Sequence, residues 1–196
     1  MNHRLNQQLA FLFEVDKMKT VLRRTLLVDK SRHENSAEHS WHFALMAVTF
    51  FEYNQLEGVD LNRVIRMALV HDVVEIYAGD TFAYDIEGNK EKEQREQLAA
   101  DKLFSLLPDD QAKEFRGLWE EFDEMKTPDA IYATAIDRLQ PFLNNSVTSG
   151  HSWAKHNVTL PQVYDRMDPV RVATPVLWEH VEDVITKALE KGYIVY

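Results

Sequence analysis

The sequence predicts an all-α fold, a single helical bundle of seven or eight helices. Three observations lead there. Glycine is scarce, at 6 of 196 residues. Long β-branched alternations are missing, and apolar residues recur at the three-and-four spacing of helices. Glycine and proline punctuate the ends of those periodic segments. At 45% hydrophobic and 28% charged, a chain of this length buries a sizeable core within one domain.

The elements follow in order. A first helix is expected over about 6–26, with Leu9, Phe13, Met18, Val21 and Leu22 near one face. A second starts at Asn35, where Glu38 three residues on completes a capping-box pattern. It carries Phe43, Met46, Ala47 and Phe50 and is expected to end near Gly58. Asp60 caps a third helix holding Val64, Ile65, Ala68, Leu69 and Ile76, stopped by Gly79. Residues 81–88 read as a loop. A charged amphipathic helix spans about 90–107, ended by Pro108, and a shorter one about 110–124. Thr127-Pro128 is an N-cap followed by proline at the first helical position; that helix runs to about Ser149, where Gly150 breaks it. Residues 151–158 read as a loop, Thr159 opens a short helix, and Thr174-Pro175 opens the last, ended at Gly192. One domain is expected over 1–196.

Charge and composition narrow the function. A formal net charge of −10 opposes binding of a nucleic acid polymer, which needs a basic footprint. It leaves room for a small anionic substrate in a locally basic pocket. The chain has no cysteine, so any metal sits on nitrogen and oxygen ligands, and the composition fits a reducing cytoplasm. The first residues lack a signal-peptide cleavage site, and the apolar run 43–51 is far too short to span a membrane.

Chemistry-bearing residues stand out in three places. His71-Asp72 is weak evidence as a dipeptide, but it sits in an apolar helical setting where a charged carboxylate needs a partner or a metal. Glu75 lies four residues after His71 and shares its helix face. A solvated helix face is the competing reading. His39 follows Glu38 at the start of the second helix; a lone helical histidine is more often packed than ligating, and His33 and His42 receive no role. Asp137 lies inside an apolar helical segment, where pairing with Arg138 is the alternative to ligation. Together, His39, His71, Asp72 and Asp137 make a nitrogen and oxygen set suited to one divalent ion, Mn, Co, Mg, Zn or Fe.

The order His39, His71-Asp72, Asp137 on helices resembles the HD-domain superfamily of metal-dependent phosphohydrolases. The segments Glu34-Asn35-Ser36-Ala37-Glu38-His39-Ser40, His71-Asp72-Val73-Val74-Glu75, Gly79-Asp80 and Asp137 are similar to the bacterial 5′-deoxynucleotidases and their relatives. The resemblance covers about 24–144, with the helices of 159–196 expected to pack on that core. It implies an HD-domain helical bundle that hydrolyses a small phosphate ester, such as a nucleoside 5′-monophosphate. It implies His39, His71, Asp72 and Asp137 as metal ligands and Glu75 as the acid beside the attacking water. Asp80 is implied as a second acid toward the leaving group, and Arg24 as an arginine that contacts substrate. The nucleotidases follow that arginine with a tryptophan that helps select deoxyribose; here Thr25 stands, so the resemblance does not carry that selectivity over.

Two other functions stay open on the sequence. One keeps the site but acts on nucleoside triphosphates or phosphodiesters. The other is a metal-stabilised helical interaction module without activity, against which Glu75 and Asp80 argue. Arg23 and Arg32 flank the site and are candidates to steer an anion. In the loop 150–157, Trp153 either packs the loop onto the core or stacks on a base, and Lys155 or His156 can approach phosphate. The run Lys90 to Arg95 reads as a solvated face or a pocket rim. Ile194 and Val195 are candidates for core or for a homodimer interface.

Overall fold

A computed structural model describes residues 2–196. Among them, eight helices reach ten residues or more. Helix α1 covers His3–Val15. A small antiparallel sheet pairs β1, Leu22–Leu26, with β2, His33–Asn35. Then follow α2 (Ser36–Thr49), α3 (Leu61–Val70), α4 (Glu75–Ala78), α5 (Ile86–Asn89) and α6 (Lys92–Phe104). Last come α7 (Asp109–Glu124), α8 (Pro128–Val147), α9 (His151–Lys155), α10 (Leu160–Ala173) and α11 (Pro175–Glu190).

Helix starts fall where capping chemistry puts them. Asn35 accepts from the Glu38 N–H while the Glu38 carboxylate accepts from the Asn35 N–H, which satisfies two otherwise orphaned donors. Asp60 and Thr127 cap α3 and α8 through their side chains.

Four expectations are corrected. The first helix stops at Val15, and Leu22–Leu26 is a strand. The reason is the alternation of that segment: Leu22 and Arg24 face outward while Thr25 is buried, the period of a strand. Helix α2 ends at Thr49 and gives way to a 3-10 turn over Phe51–Tyr53. The expected loop at 151–158 contains α9, whose Trp153 is buried against Phe142 at a ring separation of 5.2 Å. The helix after Thr159 is not short: α10 runs fourteen residues, because Val163, Met167 and Val170 give it a continuous buried stripe.

Two apolar clusters meet around the site. One joins α2, α3, α8, α10 and α11, with Phe43, Met67, Ile136 and Val181 at its centre. The other joins α1, α4, α6 and α7 through Phe11, Val74, Leu103 and Trp119. Ile194 is buried in the first cluster, whereas Val195 is half exposed and its backbone bonds to Val158 and Leu160. Among the described residues, no helix is long and apolar enough to cross a membrane.

Candidate metal centre and active-site cleft

The site lies where α2, the α3–α4 junction and α8 converge. Helix α3 does not run straight into α4. Between them the chain winds in tight turns, with Val73 N–H bonded to the Val70 carbonyl and Glu75 N–H to the Asp72 carbonyl. Three-residue spacing replaces the four-residue face expected for His71 and Glu75. The result still turns both toward α2: Ser36 Oγ donates to Glu75 Oε2 at 2.8 Å. Helix α8 carries Pro141, which has no N–H to give the carbonyl of Asp137 four residues before it. The helix is therefore missing one rung beside Asp137.

Ligand-bearing atoms of His39, His71 and Asp72 lie within 4.8 Å of one another. Asp137 joins them: its Oδ1 is 2.8 Å from His39 Nε2 and 3.5 Å from His71 Nε2. Asp72 Oδ1 is 3.1 Å from His71 Nε2. The four expected ligands are thus brought together from three elements.

Hydrogen bonds decide which imidazole nitrogens are free. His71 Nδ1 lies 2.9 Å from the Ala68 carbonyl, which can only accept, so Nδ1 carries the proton. Gln140 Nε2 donates to Glu34 Oε1 at 2.8 Å, which turns Gln140 Oε1 to His39 Nδ1 at 3.0 Å. His39 Nδ1 therefore donates as well. Each neutral imidazole then aims the lone pair of Nε2 at carboxylate oxygens, and His71 Nε2 is buried with no hydrogen-bond partner. Lone pairs facing carboxylates in a buried site call for a cation between them. This donor set fits a divalent metal ion.

The electrostatics agree. Burial disfavours a charged His71, but Asp72 and Asp137 outweigh it and push its pKa up to about 10, so with no ion between these groups a proton supplies the positive charge that a metal would bring. Burial opposes ionisation of Asp72 and Asp137; His71 and Arg23 for Asp72, and His39 and His71 for Asp137, overcome it and hold both below the usual carboxylate range. Glu75 goes the other way. Burial and then Asp72 push it up to about 8. Burial, with Asp72 adding to it, also raises Asp80. The site thus pairs two carboxylates whose pKa is lowered with two whose pKa is raised, a separation that suits acid and base roles. Gly79, at φ 77° and ψ 150°, makes the turn that places Asp80. That conformation belongs to glycine.

The cleft beside these residues is lined by Arg23, Arg24, Thr25, Glu75, Asp80 and Lys92, with Tyr84, Trp153, Arg138 and Arg166 further out. Arg23, read from sequence only as a flanking charge, forms a largely buried ion pair with Asp72. Arg24 lines the same cleft from the more exposed side. Strand alternation explains the split between them, and a strand reading of 22–26 would have shown it. Arg32 is directed elsewhere, pairing with Glu38 at the surface. Arg138 does not pair with Asp137: its Nη1 donates to the Arg166 carbonyl at 3.1 Å. Neighbouring residues on a helix do not face each other. His42 accepts from Gln140 at 3.1 Å, and His33 stacks edgewise on His151. Phe122 and Phe43 wall the His71 ring at 4.9 and 5.2 Å between centroids. His156 sits against Phe82 at 4.4 Å.

Comparison with known proteins gives a consistent picture. A family model described as HD domain matches residues 15–178. The human protein 5′-deoxynucleotidase HDDC2 (Homo sapiens) is 30% identical over 145 residues, spanning 74% of this chain and 69% of its own length. The Saccharomyces cerevisiae protein 5′-deoxynucleotidase YGK1 is 28% identical over 141 residues, spanning 69% of this chain and 63% of its own. A solved structure from Magnetospirillum magnetotacticum MS-1, described as a "Predicted metal-dependent phosphohydrolase", superposes with a TM-score of 0.92 at 46% identity. The match covers 98% of this chain and 96% of that one. An HD-domain phosphohydrolase from Listeria innocua shares the fold alone, with a TM-score of 0.60 at 18% identity over 92% of this chain and 84% of its own.

Proposed function

The chain belongs to the HD-domain family, and on that premise we propose that it is a metal-dependent phosphohydrolase acting on nucleoside 5′-monophosphates, deoxynucleotides among them. One observation carries the reading. Two imidazoles whose Nδ1 protons are held by hydrogen bonds converge with two carboxylates on one point, with two acids of raised pKa and a buried arginine beside it. The names of the relatives support the nucleotide as substrate.

His39, His71, Asp72 and Asp137 hold the metal. When bound, a divalent ion supplies Lewis-acid stabilisation of phosphate charge and lowers the pKa of groups around it. The chain does the rest. Arg23 contributes fixed positive charge at the phosphate end of the cleft; Asp72, Glu75 and Asp80 keep it charged although burial opposes that. Arg24 adds charge at the mouth. This local field is needed because the molecule as a whole is acidic. Water attacks phosphorus while the ionised form of Glu75, oriented by Ser36, takes its proton. The P–O ester bond breaks, and Asp80 gives its proton to the leaving alcohol oxygen. Thr25, buried on the cleft wall, meets the sugar side of the substrate.

The test is a panel of deoxynucleoside and ribonucleoside mono- and triphosphates with Mn²⁺, Co²⁺ or Mg²⁺, read by phosphate and pyrophosphate release. Phosphate from 5′-monophosphates, abolished by chelator, is expected. Pyrophosphate from triphosphates with inert monophosphates would overturn the assignment.

A further inference from the structure

Beyond Asp137 the cleft continues into an outer lobe that holds none of the four proposed ligands. Its polar lining is Tyr84, Asn89, Arg138, Gln162, Asp165 and Arg166. The lobe is built rather than frayed. Asn89 donates to the carbonyls of Phe82, Ala83 and Asp85 and fixes the loop that forms one wall. Helices α8 and α10, packed together, form the other.

Two arginines face this lobe without a bonded counter-ion. Arg138 spends its Nη atoms on the Arg166 carbonyl and on the Met125 sulfur, while its Nε is buried with no partner. The Arg166 guanidinium reaches no acid closer than Asp137, at 3.8 Å, and its side chain is about one-third exposed. Asp165 lines the lobe but makes no ion pair with either. In a chain of net charge −10, only Asp137 and Asp165 stand near these arginines, and neither is hydrogen-bonded to them. Two adjacent guanidinium groups with free donors match a phosphate or carboxylate.

We propose that this lobe is a second anion subsite, so that the preferred substrates are phosphomonoesters whose alcohol part carries another phosphate or a carboxylate. The proposal rests on the phosphohydrolase reading for which end of the substrate is cleaved. The scissile phosphate lies against Arg23 and the four ligands, and the second anion lies against Arg138 and Arg166. A simple nucleoside 5′-monophosphate leaves the lobe without its anion.

Calorimetry on the Mn²⁺-loaded full chain tests this, with Glu75→Gln to suppress turnover. The probes are a deoxynucleoside 5′-monophosphate, its 3′,5′-bisphosphate, and a phosphorylated hydroxy acid beside its uncharged alcohol analogue. Each probe with a second anionic group is expected to bind about tenfold more tightly than its counterpart without one. Arg166→Gln, and separately Arg138→Gln, should bring each ratio to about one. The two probe pairs tell a phosphate-selective lobe from a carboxylate-selective one, and preference in either pair supports the subsite. Equal binding in both pairs overturns it, as does a preference that survives Arg166→Gln. Phosphate release from the 5′-monophosphate by the unmodified enzyme is read separately, so failure of the hydrolase assignment and failure of the subsite are distinct results.

Discussion

Gln140→Leu should weaken metal binding although Gln140 touches no metal. Its side chain is fully buried and holds two groups at once. Its Oε1 accepts from His39 Nδ1 at 3.0 Å, and its Nε2 donates to Glu34 Oε1 at 2.8 Å. Leucine fills nearly the same volume but supplies neither. His39 then loses the partner that keeps the proton on Nδ1 and Nε2 free. Glu34, whose Oε2 is already buried without a partner, loses its remaining bond. Burial already raises the Glu34 pKa, so it will hold a proton more tightly still. Loss of such an outer-shell partner weakens metal affinity about 10–100-fold, about 1.4–2.8 kcal/mol. Unsatisfied buried groups cost the fold about 1–3 kcal/mol each. Calorimetric Mn²⁺ titration gives the affinity, and turnover against Mn²⁺ concentration shows whether saturation restores activity, as it should. Glu34→Gln keeps an acceptor for Gln140 and serves as the control. Should Gln140→Leu bind Mn²⁺ as tightly as the parent, the tautomer argument is refuted.

Three further outcomes follow from the same geometry. Glu75 retains its proton in the native state up to about pH 8 but surrenders it near pH 4.5 when unfolded. Its contribution to stability is therefore complete below pH 4.5 and lost as pH rises toward 8. In chelator, the melting temperature of the parent should fall from pH 5 to pH 8 by several degrees more than that of Glu75→Gln; equal slopes would remove the claim. Gly79→Ala meets no atom within 4 Å but forces a side-chain-bearing residue to φ 77°. It should cost about 1–3 kcal/mol, reduce turnover through displaced Asp80, and leave Mn²⁺ affinity unchanged, as thermal melts, kinetics and titration would show. Arg23→Met should lower kcat/KM by about 10²-fold, measured on a deoxynucleoside 5′-monophosphate, with Arg24→Met milder because that residue is exposed.

How much of this was legible in the residues varies by element. The α2 start was readable because Asn35 and Glu38 satisfy each other locally, and the α8 start because Thr127-Pro128 is self-contained chemistry. The gathering of His39, His71, Asp72 and Asp137 was anticipated from the resemblance of their order to the HD-domain pattern, since each residue alone also had an ordinary packed or paired reading. Strand β1 was missed because Val21, Leu22 and Leu26 also satisfy helical spacing. Only burial distinguishes the alternation of Arg23 and Thr25 from a helix face, and with it went the inward turn of Arg23. Gln140 and Arg166 carry no local motif. Gln140 matters only because Glu34 and His39 arrive from other elements, and Arg166 only because α10 lies against α8. The break between α3 and α4 was hidden for the opposite reason: the pattern around His71 is compatible with an unbroken helix.

The central claim, that His39, His71, Asp72 and Asp137 share one divalent ion, is tested most directly by anomalous diffraction from crystals grown with Mn²⁺. The account predicts one strong peak per chain, bonded to Nε2 of both histidines and to oxygens of both carboxylates. A peak elsewhere, or the same peak retained in His39→Ala and Asp137→Ala, would contradict it.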